Sequence, residues 1–167
     1  MKKRWLSLCV ENEIGVLARI SGLFAGKSYN LTSLTVGATE NETVSRMTIS
    51  LLSDDKTFEQ IQKQLNRSVE VIKVVDISDA YKHAREIMYL RVVRCSEADK
   101  TEIFHLAEVY KLRVVDYCGG DVILESVKKE EKNSFILTMF AGRFPGRVEV
   151  VRGGSVAMEG LRPAGAK

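Results

Sequence analysis

The residues best equipped for chemistry bracket one stretch, "ENEIGVLARISGLFAGKSYN" (11–30). Asn12 carries an amide with both a donor and an acceptor, able to orient the two polar ends of an amino acid. Three residues on, Gly15 opens a stripe of Val16, Leu17, Ile20, Leu23 and Phe24 at helical three-and-four spacing. The first turn of a helix carries unsatisfied N–H groups and partial positive charge, which suits a carboxylate. A glycine there lets a ligand approach the backbone closely. Asn30 closes the stretch just before a second apolar run that begins at Leu31. The same residues have a plainer reading, in which Asn12 caps the helix and Gly15 makes the turn. Both readings stand on the residues alone.

Elsewhere the reactive side chains are sparse. Only His83 and His105 are histidines, and neither has a second His or a Cys at ligand spacing, so no metal site is expected. Cys9, Cys95 and Cys118 are odd in number, widely spaced and set in apolar stretches, and read as buried free thiols in a reducing compartment. The sequence has no Gly-rich phosphate loop, nucleophile elbow or HExxH pattern. Gly153-Gly154 follows a strand without the helix such a loop needs, and reads as a turn. Asp54-Asp55 reads as helix capping rather than as paired catalytic carboxylates. "EQIQKQ" (59–64) and "VKKEEK" (127–132) read as solvated faces. With no catalytic constellation, a binding or regulatory module is expected rather than an enzyme.

The elements that position these residues come in two rounds. "RWLSLCV" (4–10) is a predicted strand, followed by the helix from Gly15, which stops near 26–28. "LTSLTVGAT" (31–39) and "VSRMTISLL" (44–52) are strands, Phe58, Ile61 and Leu65 mark a second helix, and "VEVIKVVDI" (69–77) is a strand. The order repeats with "IMYLRVVRC" (87–95), a stripe of Ile103, Leu106, Ala107 and Tyr110, then "RVVDYC" and "DVILESV" around Gly119-Gly120, the helix "KNSFILTMFAG", and "RVEVVRGG". The predicted fold class is therefore α+β, two consecutive ferredoxin-like βαββαβ domains. They are placed at 1–79 and 80–160, with a linker in "SDAYKHARE" (78–86) and a mobile tail at 161–167.

A net charge of +3 on 167 residues gives no reason to expect nucleic acid. A βαββαβ sheet that binds RNA stacks bases on aromatics of its central strands, and here those strands offer only Trp5. No apolar run approaches the ~20 residues of a membrane span. "MKKRWLSLCVENE" imitates a signal peptide, but its apolar part covers only 5–10 before acidic residues follow, so a cytoplasmic protein is expected. The uncharged run 31–39 makes a strand edge open to a second copy, hence a homodimer. A fragment of about residues 1 to 80 has its own complete βαββαβ order and is expected to bind its effector alone.

Glu11-Asn12, Gly15, Leu17, Arg19, Gly22-Leu23-Phe24, Tyr29-Asn30, the block "SLTV" (33–36) and the block "SRMTI" (45–49) together resemble the ACT domain of acetolactate synthase small subunits. "EQIQKQL", "VEVIKV", "REIMYLRV" and "VEVVRGGSVAMEG" are similar to that family's later landmarks, so the resemblance runs from about residue 4 to 160. It implies a regulatory chain without catalytic residues or a cofactor of its own. Such a chain binds a catalytic subunit carrying thiamine diphosphate, magnesium and FAD, activates it, and confers feedback inhibition by valine. It also implies an effector site between two copies, with Asn12, Gly15, Val16 and Leu17 from one and Asn30 and Leu31 from the other. The alternative is a free-standing ACT-domain amino-acid sensor acting on another partner. Ile14 and Ala18 depart mildly from the family's pattern, and "VYKLRVVDY" lacks the glycine that commonly follows that helix.

Overall fold

A computed structural model describes residues 1–26 and 29–161, so the expected tail lies, beyond Leu161, outside the described residues. The first βαββαβ round is β1 (Lys2–Glu11), α1 (Val16–Ala25), β2 (Leu31–Ala38), β3 (Val44–Ser53), α2 (Asp55–Leu65) and β4 (Val71–Asp76). The second is β5 (Lys82–Val92), α3 (Glu97–Tyr110), β6 (Arg113–Cys118), β7 (Asp121–Lys128), α4 (Glu130–Arg143) and β8 (Val148–Glu159). Each round forms one four-stranded sheet, in the orders β2-β3-β1-β4 and β6-β7-β5-β8. Among the described residues both edges of the first sheet, β2 and β4, therefore have a side with no paired strand.

The two-residue period of a strand explains which side chains go inward. Along β1, Leu6, Leu8 and Val10 are buried against Val16, Ile20 and Phe24 of α1 and Phe58, Ile61 and Leu65 of α2. Trp5, Ser7 and Cys9 alternate with them and so face the side of the sheet away from the helices. In the second round, Met88, Leu90 and Val92 pack with Ile103, Ala107, Ile136, Phe140 and Phe144.

Capping chemistry sets the helix starts. Asp54 accepts from the Thr57 amide at 2.8 Å, and Asp55, one residue on, pairs with Arg4 rather than capping. Ser96 and Asp99 form a reciprocal capping box at α3. The Arg147 guanidinium, 2.9 Å from Asp99, with the Ser96 amide and hydroxyl, holds the Asp99 carboxyl well below the usual carboxylate range. A carboxyl depressed on folding stabilises the fold above its unfolded pKa of about 4, and that contribution disappears as pH falls toward the folded value. Asp99→Asn, which keeps a capping oxygen, should be less stable than the parent near neutrality. The gap should narrow in denaturant melts below about pH 4; a gap independent of pH would refute the assignment.

At the end of α3 the backbone of Lys111 is left-handed, φ 52°. The turn thus keeps the conformation that glycine normally supplies although no glycine is present. Lys111→Gly should raise stability by roughly 1 kcal/mol through relief of that conformation, read from the urea midpoint; unchanged or lowered stability would mean that the lysine stem compensates.

Several expectations need correction. The polar segment 82–86 is not linker but the start of β5, and Glu86 is buried. Gly153-Gly154 makes no turn: both lie inside β8, and a Cβ at Gly153 would stand 2.8 Å from Ile87 Cγ2. The bare position is needed where the two strands pass closely. Polar residues are buried in β3 as well, Thr48 and Ser50 among them. Of the three free thiols only Cys95 is buried, and desolvation pushes its pKa up; Cys9 is half-buried and Cys118, at the end of the exposed strand β6, is exposed.

The described residues form two compact units, Met1–His83 together with those from Val156, and Ala84–Ser155. The end of β8 thus groups with the first unit. There the Ala157 amide donates to Thr48 Oγ1 at 3.5 Å, and the Gly160 amide donates to the Tyr81 carbonyl at 2.7 Å.

Candidate functional site

Where β1 ends, the Asn12 amide donates to the Thr43 carbonyl at 2.8 Å, and its side-chain Nδ2 donates to the Glu42 carbonyl at 2.8 Å. Ser45 Oγ donates to Asn12 Oδ1 at 3.0 Å. Asn12 therefore ties the end of β1 to the turn between β2 and β3. It does not cap the helix: the N-cap of α1 is Gly15, with φ 88° and no side-chain cap. An asparagine amide has two donors and two acceptor lone pairs, so one of each remains for another partner.

The first turn of α1 differs from those of the other helices in charge. Asp55 stands in the first turn of α2, Glu97 and Asp99 in that of α3, and Glu130 and Glu131 in that of α4, whereas α1 has no acidic residue there. The Val16 amide reaches only the Glu13 carbonyl at 3.3 Å, and those of Leu17 and Ala18 have no backbone partner outside the helix among the described residues. These amides are the orphan donors of a helix start. A Cβ at Gly15 would meet only Arg19 Nη1, at 4.0 Å, so the backbone is open on that side. Arg19 itself is fixed by Glu70, Nε to Oε1 2.7 Å, which places a guanidinium beside the entrance. Arg19 is absent from the expected site; its position four residues after Gly15, on the same helix face, is the signal that points to it.

Asn12 and Gly15 are exposed, Leu17 is 44% exposed, and Ile14 is fully exposed. Val16 is buried at 2%. Its side chain belongs to the core, so only its main chain is available to a ligand. Asn30 is exposed immediately before β2, and Leu31 is half-buried against the first core. Leu31 pairs with Leu51, and Leu51 with Arg4, so Leu31 lies level with a residue eight positions before Asn12, roughly 26 Å away along the sheet. The structure brings Asn12, Gly15, Val16 and Leu17 together, and Asn30 with Leu31, but not the two sets with each other within one chain.

Among the described residues no group of three or more His, Cys, Asp or Glu side chains could hold a metal ion. His83 and His105 are both exposed, and His83 lies edge-on to the Tyr81 ring with centroids 5.3 Å apart. No described helix is long and apolar enough to cross a membrane.

Comparison with known proteins agrees over most of the chain. Residues 6–73 match the family described as the AHAS small subunit-like ACT domain, and residues 85–160 match the one described as the small subunit of acetolactate synthase. The chain is 40% identical over 156 residues to a probable acetolactate synthase small subunit of Archaeoglobus fulgidus, covering 93% of this chain and 96% of that one. It is 35% identical over 158 residues to the acetolactate synthase small subunit of Aquifex aeolicus, covering 95% and 81%. The crystal structure of the acetolactate synthase small subunit from Thermotoga maritima superposes with a TM-score of 0.86 at 31% identity, over 98% of this chain and 100% of that one.

Proposed function

The chain belongs to the acetolactate synthase small-subunit family, and from that premise we propose that it activates the catalytic subunit of that enzyme and makes it sensitive to valine. The partner is then the subunit that carries thiamine diphosphate, magnesium and FAD, in the synthesis of the branched-chain amino acids. The observation that carries the effector reading is the pair of half-sites at opposite ends of α1. One is an unneutralised helix start with bare Gly15 and nearby Arg19. The other is Asn30 with Leu31, where the edge strand β2 begins. A second copy related by a two-fold axis joins the first half of one chain to the second half of the other, and makes two equivalent sites. A valine carboxylate meets the orphan amides and Arg19, its ammonium meets the remaining acceptor of Asn12, and its isopropyl group lies against Leu17 and Leu31.

The test combines light scattering with reconstitution. The expected result is a dimer at micromolar concentration that raises catalytic-subunit activity, with valine reversing the gain. A strict monomer sinks the shared site. A dimer that activates but never responds to valine sinks the effector while leaving the regulatory role.

A further inference from the structure

We propose that the face of the first sheet away from its helices holds a second ligand site, built for a small organic anion with two negative charges. The register of three adjacent strands sets it up: Cys9 of β1 lies opposite Arg46 of β3 on one side and Lys73 of β4 on the other. Strands are spaced by about 4.8 Å, so the backbones of Arg46 and Lys73 stand roughly 9.5 Å apart across the thiol. All three side chains line a recess of about 220 Å³ with Ser7, Val75 and Ile77, walled by Ala157, Met158 and Glu159. These residues all belong to the first compact unit.

The recess is chemically one-sided. The partner of the Arg46 guanidinium there is the Cys9 sulfur, at 3.8 Å. Neither Arg46 nor Lys73 forms an ion pair with a carboxylate among the described residues, although other basic side chains do, Arg19, Arg91, Arg113 and Arg152 among them. Two like charges facing one hollow repel, and an anion bridging them removes that cost. At ~30 Å³ per water the volume is that of about seven waters, enough for a three- or four-carbon dicarboxylate. Glu159 supplies the one carboxylate on the wall, and it competes with such a ligand. The recess contains none of the residues of the valine site, so the two readings stand or fall separately.

Cys9 is the built-in reporter. Its thiolate attacks iodoacetate to form an S–CH2 bond as iodide leaves and the thiol proton goes to solvent. In the full chain the iodoacetate rate at Cys9, relative to neutral iodoacetamide, is expected to exceed the same ratio at exposed Cys118 by about tenfold and to saturate. Malonate protects Cys9 with a half-point on the order of millimolar, and Arg46→Gln or Lys73→Gln weakens protection about tenfold. Glu159→Gln strengthens it. Protection by malonate alone assigns a dicarboxylate, equal protection by inorganic phosphate assigns a phosphate-bearing ligand, and both uphold the site. If Cys9 is too shielded to alkylate, amide shifts of Ser7, Cys9 and Lys73 during malonate titration take its place. Alkylation first order in iodoacetate and indifferent to both anions, or amide shifts that do not move, overturns the proposal.

Discussion

Gly15→Asp is expected to abolish the valine response while leaving a folded dimer that still activates the catalytic subunit. Gly15 sits at φ 88° with nothing nearer than 4.0 Å to a would-be Cβ. Aspartate is among the few non-glycine residues that tolerate this region, and at a helix start its charge is favourable. The new carboxylate would occupy the orphan amides and pair with Arg19, the contacts proposed for the ligand. At ~4 Å and an effective dielectric near 20, two like charges repel by roughly 4 kcal/mol. Even after screening, about 1.4 kcal/mol costs tenfold in affinity. In the parent, valine at a hundredfold its dissociation constant should stabilise the liganded protein by ~2.7 kcal/mol per site, visible as a thermal shift. The variant should show none, and neutral Gly15→Asn should keep part of it. A full valine shift in Gly15→Asp would remove the carboxylate from this helix start.

Glu86→Ala is expected to be the most damaging single change in the second unit that leaves its apolar core intact. Glu86 is 4% exposed and accepts from Arg152, Nε to Oε1 2.9 Å and Nη2 to Oε2 2.7 Å. Its Oε2 also accepts from Asn133 Nδ2 at 3.1 Å, while Ser126 donates to Asn133 Oδ1 at 2.7 Å. Alanine leaves the fully buried Asn133 with one fewer acceptor and the partly buried Arg152 without its carboxylate. Removing one member of a buried charged network costs about 3 kcal/mol. For a unit of this size that is a fall of roughly 12–24 °C in melting temperature. Far-UV circular dichroism reads the loss, and Trp5, the only tryptophan, reports separately on the first unit. Glu86→Gln, which keeps the shape and one acceptor, should lose less. A change under about 0.5 kcal/mol in Glu86→Ala would class Glu86 with ordinary surface positions.

What could be read in the amino-acid order was whatever local periodicity decides. The stripes at Val16, Ile20 and Phe24 and at Phe58, Ile61 and Leu65 are the helix faces that pack in the first core. The features that escaped depend on partners far away in sequence. Glu86 looked like linker because Arg152 and Asn133, which make its burial tolerable, belong to later elements. Gly153 looked like punctuation because the crowding that demands it comes from Ile87. Asn12 offered capping or ligand binding from its type alone, and its contacts with Glu42 and Ser45 could not be foreseen from its neighbours. For Val16 the periodicity points to the core and the resemblance to the site; its side chain is in the core, which leaves only its main chain to a ligand.

The return of the chain to its first unit makes the second unit an insertion. Residues 84–155 are bounded on both sides by segments of the first unit, which the Ala157 and Gly160 contacts close. If the inserted unit melts, it becomes a loop of about 70 residues whose ends must still meet, a modest entropic charge that grows only with the logarithm of length. Cutting that loop is a different matter. A single proteolytic nick within 84–155 turns the docking of the β8 end from an intramolecular event, at an effective concentration on the order of millimolar, into an encounter between separate molecules. The last described residues are then held on the first sheet by covalent continuity as much as by their contacts. For the same reason a fragment ending near residue 80 is an incomplete copy of the first unit, lacking the segment that lies beside Thr48 and Tyr81.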